Sequence, residues 1–185
     1  MTDLTSSIIE LEHSEGVGSP CSCGNGSRTT RCTECIHLNV VCDVCMVASH
    51  QYSFLHSFEK WNGFYFSKIQ QSSLGQSIKL GHGGKECPCK PSPESTTNMI
   101  VVDINAIHKS SVDFCFCHTS NPHWQQLVSV GLFPGSVDRP ETLFTIRFLK
   151  LAHLLSTIGH ISAMDLTTVM RRLTNGAFQL DTPVR

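Results

Sequence analysis

Cysteine and histidine residues crowd the first third of the sequence, where six of the ten cysteines lie between positions 21 and 45. The cysteines are spaced as pairs, and a pair of histidines follows them. Two ligands on one short loop coordinate a tetrahedral ion from one side, and a second pair of ligands completes its four-coordination. The pattern predicts two zinc sites built from Cys21, Cys23, Cys32, Cys35, Cys42, Cys45, His50 and His56.

The order of these pairs resembles that of B-box and RING modules, in which interleaved pairs hold two ions. On that pattern the first and third pairs share one ion, and the second and fourth pairs share the other. Sequential pairing stays open, because spacing alone does not determine which pairs meet. The interleaved interpretation groups Cys21, Cys23, Cys42 and Cys45 at one ion, and Cys32, Cys35, His50 and His56 at the other.

A third cluster of ligands lies in the middle of the chain. The stretch LGHGGKECPC supplies one histidine and two cysteines, and the strand-like run VDFCFC supplies two more thiols. Because side chains alternate along a strand, both thiols of that run point to one face. We predict a third zinc site formed by His82, Cys87, Cys115 and Cys117, with Cys89 or His108 as the substitute ligand. The expected cofactor content is therefore three zinc ions, with two as the minimum.

Disulfide bonding is the main rival explanation for so many thiols. Ten cysteines in 185 residues, about 5%, fall below the roughly 8–10% of secreted disulfide scaffolds. The start of the chain offers only Ile8 and Ile9 as adjacent apolar residues, which is too little for the core of a secretory signal. We therefore expect a reducing compartment, with the nucleus preferred and the cytoplasm as the alternative, where clustered cysteines bind metal or act in catalysis.

Catalytic signatures are missing from the sequence. There is no HExxH motif, no zinc-deaminase motif and no glycine loop that would cradle phosphate. Every cysteine belongs to a cluster, whereas a nucleophilic cysteine stands apart beside a histidine. We predict that the chain is not an enzyme and takes no small-molecule substrate.

Charge and hydropathy restrict the partners. The formal net charge is −1, whereas a dedicated phosphate binder usually carries a clear basic excess. No apolar run reaches the roughly 18 residues that a membrane span requires, so no membrane partner is expected. One series of aromatic residues could either stack on nucleobases or pack inside a small metal domain. Of these two roles we favour packing. The series comprises Phe54, Phe58, Trp61, Phe64 and Phe66.

Several elements must position these ligands. The run MIVVDINAIHKSSVDFC predicts a β-hairpin. Asp138 is placed to cap a helix that begins at Arg139, with Pro140 in its first turn, and ends near Ser156. Ser162 is placed to cap a second helix that ends near Asn175. A short helix is expected over 122–130. Strands and helices together predict an α+β fold, with a double-zinc module, a hairpin that carries the third site, and helices packed at the C-terminal end.

The chain is divided by composition into four stretches. Residues 1–20 carry four acids and no Lys or Arg, which predicts a disordered acidic leader. Residues 21–120 hold the zinc ligands, and residues 121–176 form the helical region. Residues 177–185 are interpreted as a tail.

Several separated motifs resemble one family. The cysteine pairs from Cys21 onward are followed in order by SLGQSIKLGHGGKECP, VVDINAIHKSSVDFCFC, QQLVSVGLFPGSVDRPETLFTIRFL and ISAMDLTTVMRRLTN. Together they are similar to the CxC-like cysteine cluster, second type, associated with KDZ (Kyakuja-Dileera-Zisupton) transposases. The resemblance runs from about Cys21 to Asn175 and implies that the twelve residues named above chelate zinc. One departure is Asn105-Ala106 in the hairpin, where the family commonly has Asn-Gly.

The resemblance also implies a role and a setting. Domains of this kind lie before an RNase H-like transposase core in a mobile element, and the core does the chemistry. On this resemblance we interpret the tail at 177–185 as truncated before such a core. We expect a recognition domain that docks on element DNA or on a protein, with the transposase core as a partner. A B-box-like protein interaction module without DNA binding is the alternative, since the net charge of −1 favours protein and the family context favours DNA.

Overall fold

Two β-sheets organise the chain, each in its own unit. The computed structural model describes residues 4–6, 16–37, 39–92 and 95–175. The chain divides into Met1–Ile69 and Gln70–Arg185. Both units contain strands and helices, which confirms the predicted α+β class. No helix among the described residues is long and apolar enough to cross a membrane.

In its described residues from 16 onward, the first unit is built on three short strands and one helix. Strands β1 (Thr30–Cys32), β2 (Phe58–Trp61) and β3 (Phe66–Ile69) form an antiparallel sheet in that order. Helix α1 (Asp43–Ser49) lies between β1 and β2 in sequence. The described residues of this unit with buried apolar or thiol side chains are few, and half of them are cysteines: Cys21, Cys32, Val40, Cys42, Met46 and Phe58.

The second unit has a five-stranded sheet in the order β4–β6–β5–β8–β7. The strands are β4 (Ser77–Lys79), β5 (Thr97–Val102), β6 (Ile107–Asp113), β7 (Leu132–Pro134) and β8 (Thr142–Thr145). The β5–β6 pair is antiparallel, as the hairpin prediction required, while β4–β6 and β5–β8 are parallel. Short 3-10 turns at Gln71–Leu74 and His82–Gly84 flank β4.

Three helices complete this unit: α2 (His123–Ser129), α3 (Ile146–Thr157) and α4 (Ala163–Thr174). The predicted start of α3 at Arg139 is wrong, since the helix begins at Ile146. Thr142–Thr145 pairs with both β5 and β7, and Thr145 then caps the helix by accepting a hydrogen bond from the Phe148 N–H. Sheet pairing overrides the Pro-Glu start signal here. The Ser162 cap of α4 is confirmed, since its hydroxyl accepts from the Asp165 N–H.

The β5–β6 turn explains why Ala106 is tolerated. Asp103 N–H donates to the Ala106 carbonyl at 3.0 Å, so Ile104 and Asn105 are the central residues of the loop. Among described residues other than glycine, only His82 and His160 have positive φ, and neither lies in this turn. A turn with negative φ at both central positions does not need the glycine that a type I′ turn favours.

A buried carboxylate joins this turn to α3. Asp103 is fully buried, and it accepts hydrogen bonds from Thr145 Oγ1 at 2.6 Å and from the Arg147 guanidinium. Burial alone would raise the pKa of Asp103, but the bonds from Arg147 and Thr145 outweigh it and lower that pKa. The pair therefore fixes the first turn of α3 against the hairpin.

The predicted acidic leader and the predicted tail lie largely outside the described residues. Residues 16–20, assigned to the leader, are hydrogen-bonded to the next segment: Gly18 N–H donates to the Arg28 carbonyl at 2.8 Å, and Arg28 N–H donates to the Ser19 carbonyl at 2.9 Å. The rest of the predicted leader, apart from residues 4–6, lies outside the described residues. The predicted tail 177–185 lies outside them as well.

Candidate metal centres

The first group of ligand atoms joins a tight turn to the start of α1. Cys21 and Cys23 lie in the turn, while Cys42 is the N-cap of α1 and Cys45 lies in its first turn. Their four sulfurs lie within 4.8 Å of one another. The Cys21–Cys45 and Cys23–Cys42 sulfur separations are 3.9 Å and 3.4 Å. The first and third cysteine pairs therefore meet.

Backbone hydrogen bonds shape the turn. Cys21 N–H donates to the Gly26 carbonyl at 2.8 Å, and Gly24 N–H donates to the Cys21 carbonyl at 2.9 Å. Asn25 N–H points at Cys23 Sγ at 3.4 Å. Gly24 adopts a φ of 77°, a left-handed conformation that glycine adopts without steric cost. The turn is thus folded so that both sulfurs face the helix.

Helix α1 is held to the sheet by its first residue. Asp43 accepts hydrogen bonds from Thr30 Oγ1 and from Lys60 Nζ, each at 2.5 Å. Burial would raise the pKa of Asp43, but these two bonds lower it overall. Because Asp43 follows Cys42 directly, these bonds also fix the helical half of the first group.

The second group brings the remaining two pairs together. Cys32 ends β1, Cys35 follows it, His50 caps the C-terminal end of α1, and His56 precedes β2. Their ligand atoms also lie within 4.8 Å of one another. His50 Nε2 is 3.3 Å from Cys35 Sγ, and His56 Nδ1 is 3.4 Å from Cys32 Sγ and 3.7 Å from Cys35 Sγ.

The tautomer of His50 is set by its other ring nitrogen. Nδ1 lies 3.0 Å from the Met46 carbonyl, which only accepts hydrogen bonds, so Nδ1 carries the proton and Nε2 presents its lone pair to the group. Burial lowers the pKa of His50, which favours the neutral imidazole. A metal ligand needs both properties.

The third group lies in the second unit and comprises His82, Cys87, Cys115 and Cys117. Cys87 Sγ is 3.8 Å from Cys115 Sγ and 3.7 Å from Cys117 Sγ. His82 Nε2 is 3.2 Å and 3.4 Å from the same two sulfurs. Both thiols lie just beyond the end of β6, which stops at Asp113, so the predicted strand face ends earlier than expected.

Backbone conformation at His82 is unusual. Its φ is 48°, in a region that side chains other than glycine rarely occupy. Gly81 before it has a φ of 78°, and a Cβ there would lie 3.1 Å from Cys115 Cβ. Such strain is typical of functional positions, since the imidazole must reach the thiols across a tight turn.

The two alternative ligands, Cys89 and His108, are not members of the third group. His108 Nε2 bonds to Asn105 Oδ1 at 3.0 Å within the hairpin, and it is not in the third group. Cys89 is exposed and is not in the group either, although its side chain contributes to raising the pKa of Cys117. The preferred set of four, rather than either substitute, is the set that the structure brings together.

The geometry fits a tetrahedral ion. Four ligands about 2.3 Å from a central zinc lie about 3.8 Å from one another. The sulfur–sulfur separations of 3.4–3.9 Å agree with that edge length. All ten cysteines are free, and a disulfide would require sulfurs about 2.05 Å apart. The donor sets of four thiols, two thiols with two imidazoles, and three thiols with one imidazole all suit zinc.

Electrostatics within the groups also favour a cation. Backbone N–H groups of Cys23 and Cys42 lower the pKa of Cys21 to about 6, whereas contacts with Cys23 and Cys42 raise the pKa of Cys45 to about 12. In the third group, the Phe116 N–H lowers the pKa of Cys87 to about 6, and the pKa of Cys117 rises to about 12. One thiol of each group therefore ionises readily, whereas ionisation of another is opposed. A bound divalent ion would neutralise the negative charge that accumulates on the thiolates.

Sequence reasoning missed the residues that support these groups. Gln126 is buried in α2, and it holds Cys115 on both sides: its Oε1 accepts from the Cys115 N–H at 2.8 Å and its Nε2 donates to the Cys115 carbonyl at 3.0 Å. No spacing rule identifies such a residue, because a glutamine in an amphipathic helix is normally exposed. Asp43, which holds α1 to the sheet, was also missed by sequence reasoning.

These features define a protein with clustered Cys/His groups that could each hold a metal ion. A model of the family described as CxC2-like cysteine cluster associated with KDZ transposases matches residues 72–177. The match covers more than half of the chain, so the chain belongs to this family. The match confirms the resemblance over these residues. It includes the third group, whereas residues 21–71 lie outside the matched segment. No curated protein and no solved structure matches the chain.

Proposed function

We propose that the three groups bind three zinc ions and that the chain is a non-catalytic recognition domain of a KDZ-type transposase. The observation that carries this proposal is that each group contains four protein ligands at tetrahedral separations. A structural zinc site is closed by four protein ligands, whereas a catalytic one keeps a position open for water.

Absence of catalysis is supported by the composition of the groups. In each group a thiol or an imidazole would occupy all four positions around an ion, which leaves no position for a water to be activated. Zinc bound here would supply folding free energy and fix the loops that carry the ligands. It would not supply an activated water.

The first unit is proposed to be a cross-braced module of the B-box and RING kind. The alternation of ligand pairs supports this interpretation, since the first and third pairs form one group and the second and fourth form the other. Helix α1 contributes to both groups, through Cys42 and Cys45 at its start and His50 at its end. Each ion would thus restrain the other through seven residues of helix.

Docking on element DNA, in the nucleus, is the recognition that we propose first. The association of the family with transposases supports it, and the second unit has exposed basic side chains that could contact phosphates. They are Lys85, Lys109, Arg139, Lys150 and Arg172. The transposase core is the expected partner and would do the chemistry.

Protein docking is the second candidate, and it is favoured by the first unit. Arg31 is bonded to Glu59 at 2.8 Å and Lys60 to Asp43 at 2.5 Å, so these cations are already neutralised. Phe64 and Tyr65, at the β2–β3 turn, are 88% and 63% exposed. Asn62 Oδ1 accepts from the N–H groups of both, which presents two aromatic rings on a fixed turn. The packing interpretation therefore holds for buried Phe58 and not for Phe64.

Duplex binding at two salt concentrations tests these candidates. The zinc-loaded chain is titrated with a fluorescent random-sequence 30-base-pair duplex at 50 mM and 200 mM salt. Contact with three or four phosphates predicts about a 40- to 150-fold loss of affinity between the two. Serine substitutions at Lys85, Lys109 and Lys150 should flatten that dependence, whereas the matched variant Phe64→Ser/Tyr65→Ser should not. Absence of duplex binding by the intact chain would contradict the DNA proposal and leave protein docking.

A further inference from the structure

One carboxylate in the second unit is bonded to several separate segments of chain. Asp113 is the last residue of β6, and its side chain is 13% exposed. Its Oδ1 accepts from Lys90 Nζ at 2.6 Å and from Thr96 Oγ1 at 2.5 Å, while its Oδ2 accepts from Ser77 Oγ at 2.6 Å. Its main-chain carbonyl accepts from the Leu80 N–H at 2.8 Å.

Apart from the Thr96 bond, which reaches the residue before β5, these bonds reach segments that lead to ligands of the third group. Ser77 and Leu80 belong to the segment that continues into His82. Lys90 closes the turn after Cys87, since its N–H donates to the Cys87 carbonyl at 3.2 Å. Asp113 itself lies two residues before Cys115.

We propose that Asp113 is a positioning residue for the third metal centre, which holds the His82 and Cys87 segments where Cys115 and Cys117 complete the site. This inference rests on the proposed function, because it presumes that the third group binds metal. His82 and Cys115 are separated by 33 positions in sequence. Ordering such distant segments costs conformational entropy, and a preformed link removes that cost from the binding step.

The chemistry of the link requires a carboxylate. Three donors converge on it, and one of them is the Lys90 ammonium, which is 23% exposed. A carboxylate only accepts hydrogen bonds, whereas an amide directs an N–H₂ group at one of these donors. Asp113→Asn is nearly isosteric, so it removes the acceptor and the charge without creating a cavity.

The same hairpin provides a matched control. Asp103, at the other end of the β5–β6 hairpin, is also buried and is also bonded to a cation and a threonine, Arg147 and Thr145. No ligand of the third group contacts it among the bonds described above. Asp103→Asn therefore tests general loss of stability without loss of the link between ligand segments.

Cadmium-113 NMR of the loaded full chain separates the three centres, because they contain four, two and three thiolates. EDTA competition then follows each resonance. For Asp113→Asn we expect at least tenfold weaker binding and faster release at the three-thiolate centre, with the other two unchanged; Ser77→Ala should shift it in the same direction by less. Asp103→Asn should leave that centre within twofold of the parent chain.

The outcomes separate this inference from the proposed function. Release from Asp113→Asn and Ser77→Ala at the parental rate would overturn the positioning role, and so would equal weakening by Asp103→Asn. Should the parent chain itself bind no ion at the three-thiolate centre, the proposed function of this group fails first. Should Asp113→Asn not fold, Ser77→Ala alone decides the positioning role by the same criterion.

Discussion

The two units of the chain are stabilised in different ways. Among the described residues, the first unit buries only three apolar side chains other than cysteine, namely Val40, Met46 and Phe58, beside two groups of metal-type ligands. The second unit has a five-stranded sheet with an apolar core and a single group. In that core, Val102, Ile107, Phe148 and Met170 pack together. A small domain without such a core needs another source of stability, and metal coordination by the two groups would supply one.

Removal of metal should produce the largest difference in stability between the two units. When the loaded chain is treated with a chelator, we expect residues 16–69 to unfold, because their two groups hold the turn, α1 and the sheet together. The β5–β6–β8 region should stay folded. Hydrogen exchange read peptide by peptide measures both. Retained protection in residues 16–69 after complete metal removal would contradict the account.

Single ligand substitutions should reproduce the contrast on a smaller scale. Cys42→Ala removes a buried ligand of the first group at the residue before α1, so the first unit should unfold. Cys117→Ala should release the third ion and leave the five-stranded sheet intact. Two-dimensional NMR of the two variants distinguishes loss of one unit from a local change. Unchanged metal content in Cys42→Ala would show that the ligand assignment is wrong.

The buried ion pair of the second unit offers a test that is independent of metal. Arg147→Ala strands the fully buried Asp103 carboxylate and should cost about 3–5 kcal/mol. Asp103→Asn leaves behind an Arg147 side chain that is 55% exposed, and it should cost about 2 kcal/mol. Urea unfolding of the loaded chain measures both values. Equal costs, or the reverse order, would contradict the assigned role of this pair.

Acid should reduce the loss of stability caused by Asp103→Asn. The pKa of Asp103 is lowered in the folded chain, so its ionised form stabilises the fold above the unfolded value of about 3.9, and this contribution is lost as pH falls through the folded value. The stability difference between the parent chain and Asp103→Asn should be constant from pH 8 to about 5 and narrow below about pH 4. Acid also protonates the thiols in both chains, so only their difference is informative. A difference that widens on acidification would contradict the sign.

The sequence predicted the ligand groups better than the elements that support them. Pair spacing was sufficient to predict the ligands between Cys21 and His56, because zinc needs four of them at each site. It did not determine which pairs meet, and the interleaved grouping came from the resemblance to B-box and RING modules. The start of α3 could not be predicted from Pro140 and Glu141, since pairing of Thr142–Thr145 with β5 depends on distant strands. Gln126 and Asp113 were missed for the same reason: their partners are defined only once the sheet has formed.

Metal content of the purified full chain tests the central claim most directly. Inductively coupled plasma mass spectrometry, together with native mass spectrometry of the folded chain, should find three zinc ions per chain, and two if the third centre is lost during purification. A folded chain that contains no zinc, with all ten cysteines still free, would contradict the conclusion that metal coordination holds the first unit together.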